Sequence, residues 1–194
     1  MNKAIFLDRD GVINEALLER PCVTNIENFT FLPDVFEAIK LINSGGYLCI
    51  VITNQPGVAQ GKLKLVDVHQ IHFHMMKTVE EHYGKITDTL FCPHHPERGW
   101  PDEDPEFKIQ CNCRKPLPGL LLEAASNYNI DLTKSWMIGD RIQDEIAGKA
   151  AGCKTVRINT NGSLYQAVYR IFTEDRIISG ERFQGFPNNA YSMK

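Results

Sequence analysis

The chain has 194 residues, 43% of them hydrophobic and 23% charged, a balance that excludes a disordered or fibrous protein and allows one domain with an ample core. A formal net charge of −3 offers no global basic field for nucleic acid, so an anionic ligand has to be met by local cations, for which Arg9, Lys62, Arg114, Lys115 and Arg141 are candidates. No basic leader precedes a long apolar stretch, and the apolar runs are too short to span a bilayer. A cytoplasmic protein without membrane or nucleic-acid partners is expected.

Taken in chain order, strand-like runs alternate with helix-like ones, the pattern of an α/β fold with a parallel sheet. Residues 3–7 form the first predicted strand. Pro33 and Asp34 open a helix with Val35, Phe36, Ile39 and Ile42 at helical spacing, and Gly45-Gly46 stops it. A buried strand over 47–52 follows, then a helix over 66–83 whose Val68, Ile71, Met75, Met76 and Val79 share one side. Residues 87–92 form a third strand. The stretch 93–110 carries four prolines and mixed charge, which rules out regular structure and marks an inserted loop. A helix over 118–128, a short strand over 135–138, a helix over 143–151, a fifth strand over 153–158 and a last helix over 163–172 complete the series. Residues 173–194 give no clear signal.

In open α/β sheets, ligands sit beyond the carboxyl ends of the strands. Asp8, Thr53 and Asp140 each lie at or just past such an end. Asp8 and Asp10 sit two residues apart, so they face one spot if strand geometry persists, and their repulsion calls for a cation. Mg²⁺, ligated by Asp8, Asp10 and Asp140 and shared with phosphate, answers it. Asp144, one helical turn after Asp140, is either a partner behind the metal ligands or a helix cap. Thr53 offers a hydroxyl, and the turn it opens, TNQPGVAQG, brings Asn54, Gln55 and inward-pointing amides toward substrate. Lys115 supplies a compact charge and Arg114 a planar grip on a second oxyanion. Asp8 is then the nucleophile, since a carboxylate needs no base to be ionised. Asp10 protonates the leaving alcohol and deprotonates the attacking water, which requires a raised pKa.

These residues resemble the haloacid dehalogenase (HAD) superfamily: LDRDGV its first motif, VITN its second, RKP its third and MIGDRIQD its fourth, together spanning roughly residues 3–160. The resemblance implies a three-layer, Rossmann-like parallel sheet and a Mg²⁺-dependent phosphatase with Asp8 as nucleophile, Asp10 as acid/base, Thr53 and Lys115 as phosphoryl stabilisers and Asp140 as metal ligand. FLDRDGVIN, TNQPGVAQGK, CPHHPE and CNCRKPLPG are similar to the subgroup of heptose 1,7-bisphosphate 7-phosphatases and histidinol-phosphate phosphatases. A single domain over 1–194 is expected, since no stretch is long enough for a large cap domain.

Cys92-x-His94 and Cys111-x-Cys113 offer three thiolates and an imidazole, the complement of a closed, structural Zn²⁺ site stapling the inserted loop. Arg114 and Lys115 follow directly, and the subgroup associates such a pair with substrate recognition. The long stretch between His94 and Cys111 favours a sugar bisphosphate over histidinol phosphate. Arg141 stands where the heptose enzymes often have lysine. The expected protein is therefore a monomer that removes the C7 phosphate of a heptose 1,7-bisphosphate on the way to nucleotide-activated heptose. Its rivals are a histidinol-phosphate phosphatase and a catalytically inactive zinc-stapled binding module. His95 is surplus to a four-ligand site. His69, His72, His74 and His82 belong to a surface or to packing, and Cys22, Cys49 and Cys153 read as plain thiols.

Overall fold

In the computed structural model, residues 1–16 and 23–175 are described; Cys22 and the tail beyond 175 lie outside them. The strands are β1 (Ala4–Leu7), β2 (Leu48–Asn54), β3 (Asp88–Cys92), β4 (Trp136–Gly139) and β5 (Lys154–Arg157). The helices are α1 (Val35–Ser44), α2 (Leu65–Glu81), α3 (Gly119–Tyr128), α4 (Ile142–Ala151) and α5 (Leu164–Glu174). All strand pairs are parallel, in the order β3-β2-β1-β4-β5. The expected elements are present, with ends moved by one or two residues. The inserted loop contains only a 3-10 turn at Pro105–Phe107.

Two-residue alternation along the strands divides the core between the two faces of the sheet. Ile5 and Leu7 of β1, Cys49 and Val51 of β2, and Trp136 and Ile138 of β4 share one apolar cluster with Ile39 and Ile42 of α1, Met75 and Val79 of α2, and Ile171 and Phe172 of α5. Ala4, Phe6, Ile50, Ile52 and Met137 face the other way, against Leu120 and Leu121 of α3 and Ala147 of α4. Three layers result, with a sheet apolar on both sides, as a parallel sheet requires. Each fully buried Leu, Ile or Phe side chain contributes about 1.5–3 kcal/mol by leaving water. Among the described residues no cap domain is inserted between β1 and α1 or between β2 and α2, and no helix is long and apolar enough to cross a membrane.

Register places the chemistry. Leu7 is paired with Val51 on one side and with Ile138 on the other, and the Asp8 amide continues the ladder by donating to Ile138 O at 2.9 Å. The carboxyl ends of β1, β2 and β4 therefore open side by side at the middle of the sheet. Just beyond β1 the chain turns sharply, with the Arg9 carbonyl accepting from the amides of Ile13 and Asn14 at 2.8 and 3.1 Å. Gly11 makes that turn at φ +87°, and a Cβ there would stand 2.7 Å from Asp140 Oδ2. The glycine thus serves both the left-handed backbone and the close passage of a carboxylate from β4.

Candidate active site

The loop before α3 brings Lys115 into the opening between these strand ends. Its Nζ donates to Asp8 Oδ1 and to Ile52 O, both at 2.7 Å, and pairs with Asp144 Oδ1 at 2.6 Å. Its main chain is clamped by Asn54: the Asn54 Nδ2 donates to Lys115 O and the Lys115 amide donates to Asn54 Oδ1, each at 3.0 Å. Burial alone would lower the Lys115 pKa, but Asp8 and Asp144 outweigh it and raise it, so the lysine stays charged. Asp144 acts as the helix cap its place in the chain allowed, and also holds the lysine. Oδ1 holds Lys115 while Oδ2 accepts from the Arg141 amide at 3.0 Å and caps α4. A Cβ on Gly139 would sit 2.2 Å from the Asp144 Cβ, so this packing needs glycine at the end of β4.

Carboxylate oxygens of Asp8, Asp140 and Asp144 lie within 4.8 Å of one another. Burial raises the pKa of Asp8, with Lys115 opposing and Asp144 adding to the rise. Burial likewise raises that of Asp140, against a hydrogen bond donated by Thr160 Oγ1 at 2.7 Å. Two buried carboxylates and the half-buried Asp140 against one ammonium leave negative charge uncompensated, and the Asp140 Oδ1 atom is buried with no hydrogen-bond partner. A hard divalent cation fits that deficit. Asp8 and Asp140 would hold it, because both Asp144 oxygens are already engaged.

The Asp10 carboxylate lies outside this group of carboxylate oxygens. It accepts from Arg9 NH2 at 2.9 and 3.0 Å, from Arg9 Nε at 3.2 Å, and from Asn14 Nδ2 and Gln55 Nε2 at 3.0 Å. Burial pushes its pKa up, but Arg9 and these hydrogen bonds pull it below the ordinary value, opposite to the expected rise. Arg9 is fully buried and so does not reach a ligand as a free cation. Gln55 is 1% exposed and also donates to Thr53 Oγ1 at 2.9 Å. With that lone pair occupied, the Thr53 hydroxyl is left to donate its own proton. The side-chain amides of Asn54 and Gln55, both expected near substrate, bond Lys115, Asp10 and Thr53. His72, expected at a surface or in packing, is buried behind Arg9 and packs on Phe91.

Asp8, Asp10, Thr53, Asn54, Arg114, Lys115, Arg141 and Asp144 line one cleft. Arg114 and Lys115 also line a second cavity of about 280 Å³ under the inserted loop, with His95, Gln110 and Gln143. Arg141 is exposed at the start of α4 and Lys62 is exposed.

The inserted loop is pinned as expected. Cys92 Sγ lies 3.6 Å from Cys111 Sγ and 3.6 Å from His94 Nδ1, which is 3.3 Å from Cys113 Sγ. A disulfide needs about 2.0 Å between sulfurs. Tetrahedral Zn²⁺ with ordinary bond lengths gives edges of about 3.8 Å between sulfurs and about 3.6 Å from sulfur to nitrogen. The donor set therefore fits zinc, with His94 presenting Nδ1. Hydrogen bonding from Cys92, then Cys111 and His94, pushes the Cys113 thiol down to about 5. Arg114 NH1 donates to the His94 carbonyl at 3.1 Å, tying the guanidinium to the staple.

A parallel α/β domain with a carboxylate, an ammonium and a hydroxyl at adjoining strand ends defines a hydrolase of the HAD type, and residues 112–171 match the family model described as HAD-hydrolase-like. The chain is 37% identical over 154 residues to the D-glycero-beta-D-manno-heptose-1,7-bisphosphate 7-phosphatase of Haemophilus ducreyi, covering 79% of this chain and 80% of that one. To the enzyme of the same name from Escherichia coli K12 it is 36% identical over 152 residues, or 78% and 76% of the two chains. The chain belongs to this heptose bisphosphate phosphatase family of HAD hydrolases. The solved D,D-heptose 1,7-bisphosphate phosphatase of B. bronchiseptica, complexed with magnesium and phosphate, superposes with a TM-score of 0.75 at 27% identity, covering 89% of this chain and 99% of that one.

Proposed function

We propose that the protein hydrolyses the C7 phosphate of D-glycero-β-D-manno-heptose 1,7-bisphosphate. The observation that carries the reading is the Asp8–Lys115 pair at 2.7 Å on the floor of the cleft. Asp8 attacks phosphorus as its bond to the C7 oxygen breaks, and Asp10 gives that oxygen a proton. Asp10 then takes a proton from the water that hydrolyses the aspartyl-phosphate. Arg9 keeps Asp10 ionised in the free site; an arriving phosphate dianion works against that and favours its protonated form. Lys115 and the Thr53 hydroxyl donate to the phosphoryl oxygens. Mg²⁺ held by Asp8 and Asp140 would neutralise phosphoryl charge. Arg114 and Arg141, at the mouth of the cleft, suit the phosphate at C1.

A monomer in the cytoplasm is the reading; zinc-ready free thiols suit that reducing compartment. The test is phosphate release from the α and β heptose 1,7-bisphosphates and from histidinol phosphate with Mg²⁺, beside Asp8→Asn. The β anomer should turn over fastest and Asp8→Asn should be inactive. Preference for histidinol phosphate overturns the substrate assignment, and no turnover of any ester overturns the phosphatase reading.

A further inference from the structure

Arg9 is the largest fully buried side chain of the described residues. A guanidinium has five N–H donors and no acceptor, and it cannot shed its charge, so each side of it needs an acceptor. Its Nε and NH2 face Asp10, while NH1 lies 3.0 Å from His72 Nε2, on α2 and 63 residues away in sequence. His72 is 4% exposed, and its ring stands edge-on to Phe91 of β3, 5.3 Å between centroids at 76°. Because Arg9 can only donate, Nε2 must present a lone pair and the ring proton must sit on Nδ1. Burial, then Arg9, pushes the His72 pKa down to about 3, which keeps the imidazole neutral as that bond requires.

We propose that His72 is a positioning residue for the reaction: it anchors the buried Arg9 guanidinium, which in turn holds the Asp10 carboxylate facing the cleft and away from the Asp8–Asp140–Asp144 group. Among the described residues, His72 is the partner found for the NH1 end of Arg9. Freed from His72, the NH1 end of a buried guanidinium has lost its acceptor and the side chain shifts to find another, so Asp10 loses the bidentate contact that sets its orientation. The inference rests on Asp10 being the acid and base of the proposed phosphatase.

The experiment compares wild type, His72→Phe and His72→Gln on two esters: the heptose bisphosphate, whose alcohol needs a proton to leave, and p-nitrophenyl phosphate, whose phenolate does not. kcat/KM reports steps up to aspartyl-phosphate formation. His72→Phe should lower it about tenfold on the sugar and less than twofold on the aryl ester. His72→Gln, whose amide oxygen can accept from Arg9, should restore most of the loss. Equal losses on both esters, no loss, or no rescue by Gln overturns the proposal. Nitrogen-15 NMR of the wild-type imidazole needs no variant: a proton on Nε2 of His72 refutes the contact even if His72→Phe fails to fold. A wild type that hydrolyses neither ester overturns the phosphatase reading instead, and the positioning role with it.

Discussion

Asn54 and Lys115 meet across 61 residues of sequence through two reciprocal hydrogen bonds, and the placement of the lysine Nζ depends on them. Asn54→Ala should lower kcat on the order of tenfold, because a loosened main chain lets the ammonium leave the position that transfer requires. Thermal melting should change far less; steady-state kinetics and a melting curve on the same preparation check both. At this scale the sequence was legible where chemistry sits at a strand end: Asp8, Thr53 and Asp140 could be placed from the strand pattern alone. Partnerships that cross the fold were not legible. Whether Gln55 faces substrate or turns back to Thr53 and Asp10 is decided by atoms 2 and 45 residues away, and periodicity holds no record of that. Arg9 shows the same limit, since a cation between two aspartates reads as exposed until the buried imidazole behind it is seen.

Among the elements, the inserted loop and α5 depend on local ties. The loop has no regular structure beyond one turn, so its order comes from Cys92, His94, Cys111 and Cys113, together with backbone bonds such as Asp104 N to Ala59 O at 3.1 Å. Cys113→Ala should lose the stoichiometric metal, measured colorimetrically, and kcat/KM on the sugar should fall severalfold as Arg114 loses its anchor at His94. The paired Cys and His spacing made this staple legible in the sequence. The anchoring of α5 was not. At its end the Asp175 carboxylate accepts from Tyr47 OH at 2.5 Å, Lys154 Nζ at 2.8 Å and Trp136 Nε1 at 3.0 Å, joining the helix to the amino-terminal edge of the sheet. Asp175→Asn should cost about 1–3 kcal/mol at neutral pH, read from denaturant unfolding.

For the whole molecule, Asp175 also sets a pH dependence. Burial would raise its pKa, but Lys154, Tyr47 and Trp136 together hold it below the ordinary carboxylate value. A group depressed in the folded state contributes stability above its unfolded pKa of about 3.9 and loses it as pH falls through the folded value. The gap between wild type and Asp175→Asn should therefore be constant from pH 7 to about 5 and close below about pH 4, in melts run along a pH series. Because both faces of one sheet are packed, calorimetry of the zinc-loaded protein should show a single cooperative transition. The parallel α/β class was legible in the alternation of strands and helices, and the three layers in the resemblance to the HAD superfamily. Which helix covers which face was not, because that follows from the strand order β3-β2-β1-β4-β5, and chain order alone does not state it.

That strand order has an evolutionary consequence. The proposed bond-breaking groups rise from β1, β2 and β4 at the middle, whereas the long loop leaves from β3 at the edge and is closed on itself by its own four-ligand knot. Lineages can lengthen, shorten or rewrite the residues between the two ligand pairs without disturbing the strand ends. On the proposed reading, contacts to the ester beyond its phosphates can change with that stretch of chain while Arg114, Arg141 and the strand ends keep their places.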